Sequence, residues 1–238
     1  IWMRIYFSLV AMLLLCLSHH VCASVVMTGT RIIYPAQASN KSIQLKNPDQ
    51  QPYIVQVQVD DGSEKKPAGE EDSNFLLTPN IFRMEPGSAQ TVLLKYIGNT
   101  LPQNKESIFY MNFTQLPATK SEKSGSNQLV LAITNRVKIF YRPQGIEGTP
   151  GETAKKMTFS LSGKKIKVTN SAGYFAVVRR ASLVINGREI KLADRQMVAP
   201  QSSAEWLPSD PVSGLKGARL RLVLVNDYGI DVINERTL

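Results

Sequence analysis

The chain has 238 residues, a formal net charge of +9, and only two cysteines and two histidines. All four of these residues lie within the first 23 positions. If that segment is removed, disulfides, thiolate or imidazole metal ligands, a Ser-His-Asp triad and a Cys-His pair are all excluded from the remaining chain. Carboxylate, lysine and tyrosine chemistry remains, but the acidic residues gather in loop-like runs. We therefore expect no metal, no other cofactor and no enzyme activity.

The first 23 residues have the pattern of a secretory signal peptide. Residues 5–17 are almost wholly apolar, Arg4 precedes them, and Val21, Cys22 and Ala23 resemble a small-residue cleavage site. An apolar core this short does not reach the roughly 20 residues of a membrane-spanning helix. The pattern predicts cleavage after Ala23, export and no membrane insertion. In an exported protein, the basic charge favours carboxylate partners or simple solubility over nucleic acid.

Short runs of alternating apolar and polar residues follow the signal segment. They occupy residues 42–46, 53–59, 91–96 and 108–113, and clusters of Gly, Pro, Asn and Ser separate them. Alternation with a period of two residues predicts half-buried β-strands, whereas a helix would need a period near 3.6. The sequence therefore predicts an all-β fold.

A longer run covers residues 127–143. Its first 15 residues, 127–141, would extend roughly 50 Å as one strand at about 3.3 Å per residue, which is more than a small sandwich needs. Leu129, Leu131 and Ile133 share one face, and the cations Arg136 and Lys138 follow. Two interpretations remain open from these residues alone: ordinary sandwich core, or an apolar edge that pairs with another chain.

The composition changes at residues 145–152, which are rich in Gly and Pro. Alternating runs resume at residues 157–161, 165–168, 174–178, 181–185 and 219–225, with Asn186-Gly187 as a hairpin turn. We predict a first domain at 24–144, a linker at 145–152 and a second domain at 153–238. The sizes fit two immunoglobulin-like β-sandwiches.

Five segments together resemble the periplasmic chaperones of the chaperone-usher pathway, which fold and deliver pilus subunits. They are 30–36 (TRIIYPA), 101–112 with LP and ESIFYMN, 129–133 (LVLAI), 136–143 (RVKIFYRP) and 226–229 (NDYG). The resemblance implies two immunoglobulin-like β-sandwich domains in a boomerang arrangement. It also implies that the chaperone lends an edge strand to an incomplete pilus subunit until an outer-membrane usher receives that subunit.

The resemblance also assigns roles to particular residues. Arg31 and Lys138 would bind the carboxylate at the subunit's C-terminus. The donor-strand residues Leu129, Leu131 and Ile133 would fill the subunit's open groove. The partners would be pilins, a tip adhesin, the usher and, without a subunit, a second copy that caps the exposed strand.

Three charged residues stand where the family has a cluster that joins its two domains, namely Glu106, Arg142 and Asp227. The resemblance implies a structural role for them. The loop at 118–128 is short, which resembles the branch of the family that mostly serves rod-like pili with tip adhesins.

Two alternatives belong to other classes of protein. An exported structural pilus component or adhesin would also be all-β, but it would more typically consist of one incomplete sandwich. A carbohydrate-cleaving enzyme would need a pair of spaced carboxylates, and the acidic residues instead gather in runs such as 70–72.

Overall fold

The computed structural model describes residues 24–63, 74–118 and 129–238. The predicted signal segment 1–23 and residues 119–128 of the short loop lie outside the described residues. Within them the regular secondary structure is β-strand apart from one short 3-10 helix, so the all-β prediction is confirmed. No described helix is long and apolar enough to cross a membrane.

Nine strands form the described part of the first half. They are β1 (Val26–Met27), β2 (Arg31–Pro35), β3 (Lys41–Lys46), β4 (Tyr53–Asp60), β5 (Phe75–Thr78), β6 (Ile81–Met84), β7 (Ala89–Tyr96), β8 (Ser107–Pro117) and β9 (Ile133–Arg142). One sheet has the order β1-β3-β7-β5, and the other has the order β2-β9-β8-β4-β6. The four runs predicted as strands in this half lie in β3, β4, β7 and β8.

The core of this half forms between its two sheets, because alternate side chains of each strand point inward. In β4, Val55, Val57 and Val59 are buried, and the opposite sheet contributes Ile43 and Leu45 from β3. Burial of each such side chain contributes about 1.5–3 kcal/mol before the entropy cost of ordering it. This packing fixes the sheet that carries β9.

The second half contains the 3-10 helix Pro150–Lys156 and seven strands. The strands are β10 (Met157–Ser162), β11 (Lys165–Asn170), β12 (Ala176–Ile185), β13 (Arg188–Val198), β14 (Ser202–Trp206), β15 (Arg219–Val225) and β16 (Asp231–Thr237). They form a sheet β10-β11-β14 and a sheet β13-β12-β15-β16. A separate core lies between these sheets, so the fold consists of two β-sandwiches, as predicted. The linker at 145–152 remains a prediction within the strand-free stretch between β9 and β10.

Two details of the second half bear on the sequence patterns. Asn186 and Gly187 both have positive φ, 51° and 75°, which is the conformation of the predicted hairpin turn between β12 and β13. The runs 174–178 and 181–185 were expected to be separate strands, but they lie mostly in the single strand β12, whose pairing with β15 shifts register between Val178 and Arg180. A β-bulge interrupts the alternation there without ending the strand.

The long strand is shorter than the sequence predicts. β9 begins at Ile133, and residues 129–132 belong to no strand. The pairing of β8 with β9 ends at Gln115 opposite Ile133, and β8 itself ends at Pro117. Proline has no N–H to donate to a neighbouring strand, and among the described residues no strand pairs with the chain before Ile133.

Candidate functional site

The three predicted donor-strand residues lie on the surface. Leu129, Leu131 and Ile133 are 86%, 63% and 47% exposed. The sandwich-core interpretation is therefore wrong for this segment. Several exposed aliphatic side chains at nearby positions mark a surface that can bind another protein.

One edge of β9 is open beside these residues. β8 pairs with β9 from Ile133 to Tyr141, whereas β2 pairs in parallel with β9 only from Lys138 onward. Among the described residues, positions 133–137 of β9 thus have a strand on one side only. Unpaired N–H and C=O groups along such an edge can bond to an added strand from another chain.

The predicted basic pair lies where this open edge ends. Arg31 of β2 is the register partner of Lys138 of β9, so both side chains project from the same face of the sheet. Arg31 Nη1 donates a hydrogen bond to the carbonyl oxygen of Val225 in the second half, at 3.3 Å. Arg31 Nε is buried without a hydrogen-bond partner. The pair therefore faces the cleft between the two sandwiches.

The local environment disfavours the charged forms of both cations. Burial lowers the pKa of Lys138, and the charges of Arg31 and Arg136 lower it further. Burial also lowers the pKa of Arg31, which Asp227 partly opposes and Arg179 reinforces. Two half-buried cations that repel each other form a site that an anion would stabilise.

The structure brings Glu106, Arg142 and Asp227 together although they are far apart in sequence. Arg142 Nε donates to Glu106 Oε1 at 2.7 Å, and Nη1 and Nη2 donate to the two oxygens of Asp227 at 2.7 and 2.9 Å. Glu106 Oε2 accepts a hydrogen bond from the backbone N–H of Phe175 at 2.8 Å. Arg142 thus links a strand of the first sandwich to the second sandwich with planar, bidentate geometry.

Burial makes this cluster sensitive to the loss of any member. The Glu106 side chain is 2% exposed and that of Arg142 is 20% exposed. Burial opposes the charge of Arg142, but hydrogen bonds and charges from Asp227 and Glu106 outweigh it, so the pKa of Arg142 is raised. Burial raises the pKa of Glu106, and Arg142 and the Phe175 N–H only partly offset this effect.

Sequence patterns missed several residues of the cleft. A cavity of about 270 Å³ is lined by Arg31 and Lys138 together with Arg179, Arg195 and Val225 of the second sandwich. The last three belong to no sequence motif, and only the packing of the two halves brings them to the cations of the first sandwich. Within the described part of the chain, no group of three or more His, Cys, Asp or Glu side chains could hold a metal ion.

Comparison with known proteins identifies the family. Residues 24–147 match the family "Pili and flagellar-assembly chaperone, PapD N-terminal domain", and residues 152–236 match "Pili assembly chaperone PapD, C-terminal domain". The chain is 34% identical to the probable fimbrial chaperone YehC of Escherichia coli K12 over 210 residues, which cover 87% of this chain and 84% of YehC.

Two further similarities cover most of the chain. It is 35% identical to the chaperone protein HifB of Haemophilus influenzae over 88% of this chain and 86% of HifB. The crystal structure of the YadV chaperone superposes with a TM-score of 0.77 at 27% identity, covering 91% of this chain and all of YadV. The two sandwiches, the match to both domain families and these relatives together show that the chain belongs to the family of pilus-assembly chaperones.

Proposed function

We propose that this protein is a periplasmic chaperone that binds pilus subunits by donating the segment at 129–133 and the adjoining open edge of β9. The observation that carries the proposal is the exposure of Leu129, Leu131 and Ile133 at the start of a strand whose second edge is unpaired. The names of the similar proteins, which are fimbrial chaperones, support pilus subunits as the partners.

The basic pair gives the bound subunit a fixed end. A chain-terminal carboxylate has a pKa near 3.5 and is an anion throughout the neutral range, so Arg31 and Lys138 suit it as donors. Charge-assisted hydrogen bonds contribute about 1.5–3 kcal/mol each. A slip of one residue in a strand turns its side chains to the opposite face, and an anchored carboxylate would prevent that slip.

The apolar side chains supply most of the affinity. Each large aliphatic residue that leaves water on binding contributes about 1.5–3 kcal/mol before ordering costs, and three of them would share one face of an extended donor segment. The anchor therefore sets register, and the aliphatic residues close the groove of the subunit. This function requires no bond to be made or broken, so we propose a binding role without catalysis, nucleotide or cofactor.

Delivery completes the proposed function. Strand donation leaves the subunit's groove filled only until another strand replaces the chaperone, and an outer-membrane usher is the partner at which such exchange would occur.

We place the chaperone in the periplasm, and fractionation by osmotic shock tests that placement. Recovery of the protein only with the cytoplasm would contradict it.

The main test is co-purification from cells that export this chain together with candidate pilin subunits. The wild type is expected to yield a stoichiometric complex, the variant Lys138→Ala is expected to lose the subunit, and Lys41→Ala is the matched control. Lys41 is an exposed lysine of β3, in the other sheet. A subunit that persists in Lys138→Ala would overturn the anchor, and no subunit with the wild type would overturn the chaperone function.

A further inference from the structure

The cavity of about 270 Å³ in the cleft carries more positive charge than one carboxylate needs. Four cationic side chains line it: Arg31 and Lys138 from the first sandwich, and Arg179 and Arg195 from the second. The other lining residues are Val177, Val178, Gln196, Met197 and Val225. Among the described residues that line the cavity, none is acidic.

Arg195 has an unusual backbone for its residue type. Its φ is 52°, in the left-handed region that glycine favours and that side chains with a Cβ rarely adopt. The register of β12 against β15 also shifts next to Arg179. Irregular strand positions of this kind redirect side chains and concentrate at ligand sites. The irregular backbone here belongs to an arginine that lines the cavity.

The charges across β12 and β13 are unbalanced. Val178 pairs with Gln196 and Arg180 pairs with Asp194, which places Arg195 directly across from Arg179. Like charges in that arrangement repel each other. Arg179 has a partner, since its Nε lies 3.1 Å from Asp231 Oδ1. The exposed side chain of Arg195 has no ion pair or hydrogen bond with any residue in the described part of the chain. An anion in the cavity would relieve the repulsion.

We propose that Arg195 is a second carboxylate-binding residue of the cleft, so that the chaperone prefers subunits with an acidic side chain in their last or next-to-last residue. This inference rests on the proposed function, in which Arg31 and Lys138 bind the terminal carboxylate itself. Arg195 lines the same small cavity as that pair, so the second carboxylate belongs to the end of the same chain. The guanidinium of arginine binds a carboxylate with two parallel hydrogen bonds.

The test measures peptide binding to the full exported protein by calorimetry. The probe is an acetylated peptide of alternating Val and Thr residues that ends in Asp with a free carboxylate, and its partner ends in Asn. Wild-type protein is expected to bind the Asp peptide about tenfold more tightly, as one charge-assisted interaction implies. Arg195→Gln is expected to bind both peptides equally.

Two further variants serve as controls. Arg188→Gln removes an exposed arginine of the same strand, which pairs with Asp210, and it should retain the tenfold preference. Arg195→Gly relaxes the left-handed backbone and should lose the preference as Arg195→Gln does. If the wild type and both Arg195 variants show the same ratio of affinities for the Asp and Asn peptides, the proposal is overturned.

The same titrations separate this inference from the proposed function. Lys138→Ala is expected to weaken both peptides by a similar factor, whereas Arg195→Gln weakens only the Asp peptide. If Lys138→Ala binds both peptides as the wild type does, the proposed anchor fails. If Lys138→Ala weakens both and Arg195→Gln leaves their ratio unchanged, the anchor stands and the role of Arg195 is refuted.

Discussion

The two ends of the run at 129–142 differ in how completely their side chains are paired. At its carboxyl end, Arg142 makes three hydrogen bonds to two carboxylates and links both sandwiches. At its amino end, Leu129 and Leu131 are exposed and belong to no strand. One continuous segment thus has a side chain paired within its own molecule at one end and side chains exposed to solvent at the other.

This difference predicts that the paired end contributes to the stability of the free protein and the exposed end to subunit binding. Side chains that are paired within the molecule contribute to its unfolding free energy, whereas exposed side chains contribute only when a partner buries them. We therefore expect substitutions at the paired end to change the stability and domain geometry of the free chaperone. Substitutions at the exposed end should change subunit binding and leave stability unchanged.

The largest expected effect is that of Arg142→Ala. The substitution leaves the carboxylate of Glu106, whose side chain is 2% exposed, buried without its cation. Breaking a buried ion pair in this way destabilises a protein by about 3–5 kcal/mol. Urea denaturation should show that loss, and small-angle scattering should show a looser angle between the sandwiches. Recovery from the periplasm should fall more than the affinity of an assembled complex.

Arg83→Ala is the matched control for this prediction. Arg83 forms an ion pair with Glu85, and both side chains are more than half exposed. Exposed pairs contribute at most about 1 kcal/mol, so this variant should unfold almost as the wild type does. Unchanged scattering and yield for Arg142→Ala would contradict the structural role of the cluster.

At the exposed end, Leu131→Ala should weaken subunit capture without destabilising the chaperone. Loss of most of one aliphatic side chain from the groove corresponds to about 1.5–3 kcal/mol, or roughly a tenfold to hundredfold weaker affinity. Binding can be measured with a purified subunit, and thermal unfolding of the free variant reports its stability. A lower melting temperature for Leu131→Ala would contradict the separation of the two ends.

Val130→Ala is the control that tests which face of the segment binds the subunit. Val130 is also exposed, at 52%, but it is expected to project to the opposite face of an extended segment. Its truncation should leave capture nearly unchanged. Equal losses for Val130→Ala and Leu131→Ala would show that the segment does not bind with the alternation of a strand.

A smaller effect is expected for Gly229→Ala, which lies in the turn beside Asp227. Gly229 has a φ of 79°, and an added Cβ would collide with Thr30 of the first sandwich. Gly187→Ala is the matched control, because Gly187 has a φ of 75° and open space around it. In each variant the free energy of unfolding should fall by about 1 kcal/mol or more, because alanine is strained at a positive φ. Gly229→Ala should lose more, and equal unfolding midpoints would mean that the contact with Thr30 contributes nothing.

The smallest expected effect is that of pH on capture between about pH 5 and pH 8. No histidine lies in residues 24–238, so the chaperone lacks the side chain that usually titrates in this range. Below it, affinity should fall as the subunit's carboxylate, with a pKa near 3.5, becomes protonated. Above it, affinity should fall as Lys138 loses its proton. Because burial lowers the pKa of Lys138 from 10.5, this loss should begin at a lower pH than for an exposed lysine.

A peptide without histidine is the appropriate probe for this profile. A tenfold change in its affinity between pH 5 and pH 8 would contradict the prediction. It would also show that another group in the cleft titrates there.

The sequence by itself determined the all-β architecture, since the alternation of apolar and polar residues is a local property of each strand. It also determined the family, because its five segments retain their order and spacing across the chain. Local patterns located the basic residue Lys138 and the aliphatic residues of the donor segment. They left open whether Leu129, Leu131 and Ile133 form a core or a surface.

Tertiary structure decided what depends on contacts between distant parts of the chain. The end of β8 at Pro117 determined where β9 begins, and a strand exists only where a neighbour accepts its hydrogen bonds. The packing of the two sandwiches brought Glu106, Arg142 and Asp227 within hydrogen-bonding distance and placed Arg195 in the cavity with Lys138. Burial and charge pairing are properties of the assembled fold, so no local pattern could have supplied them.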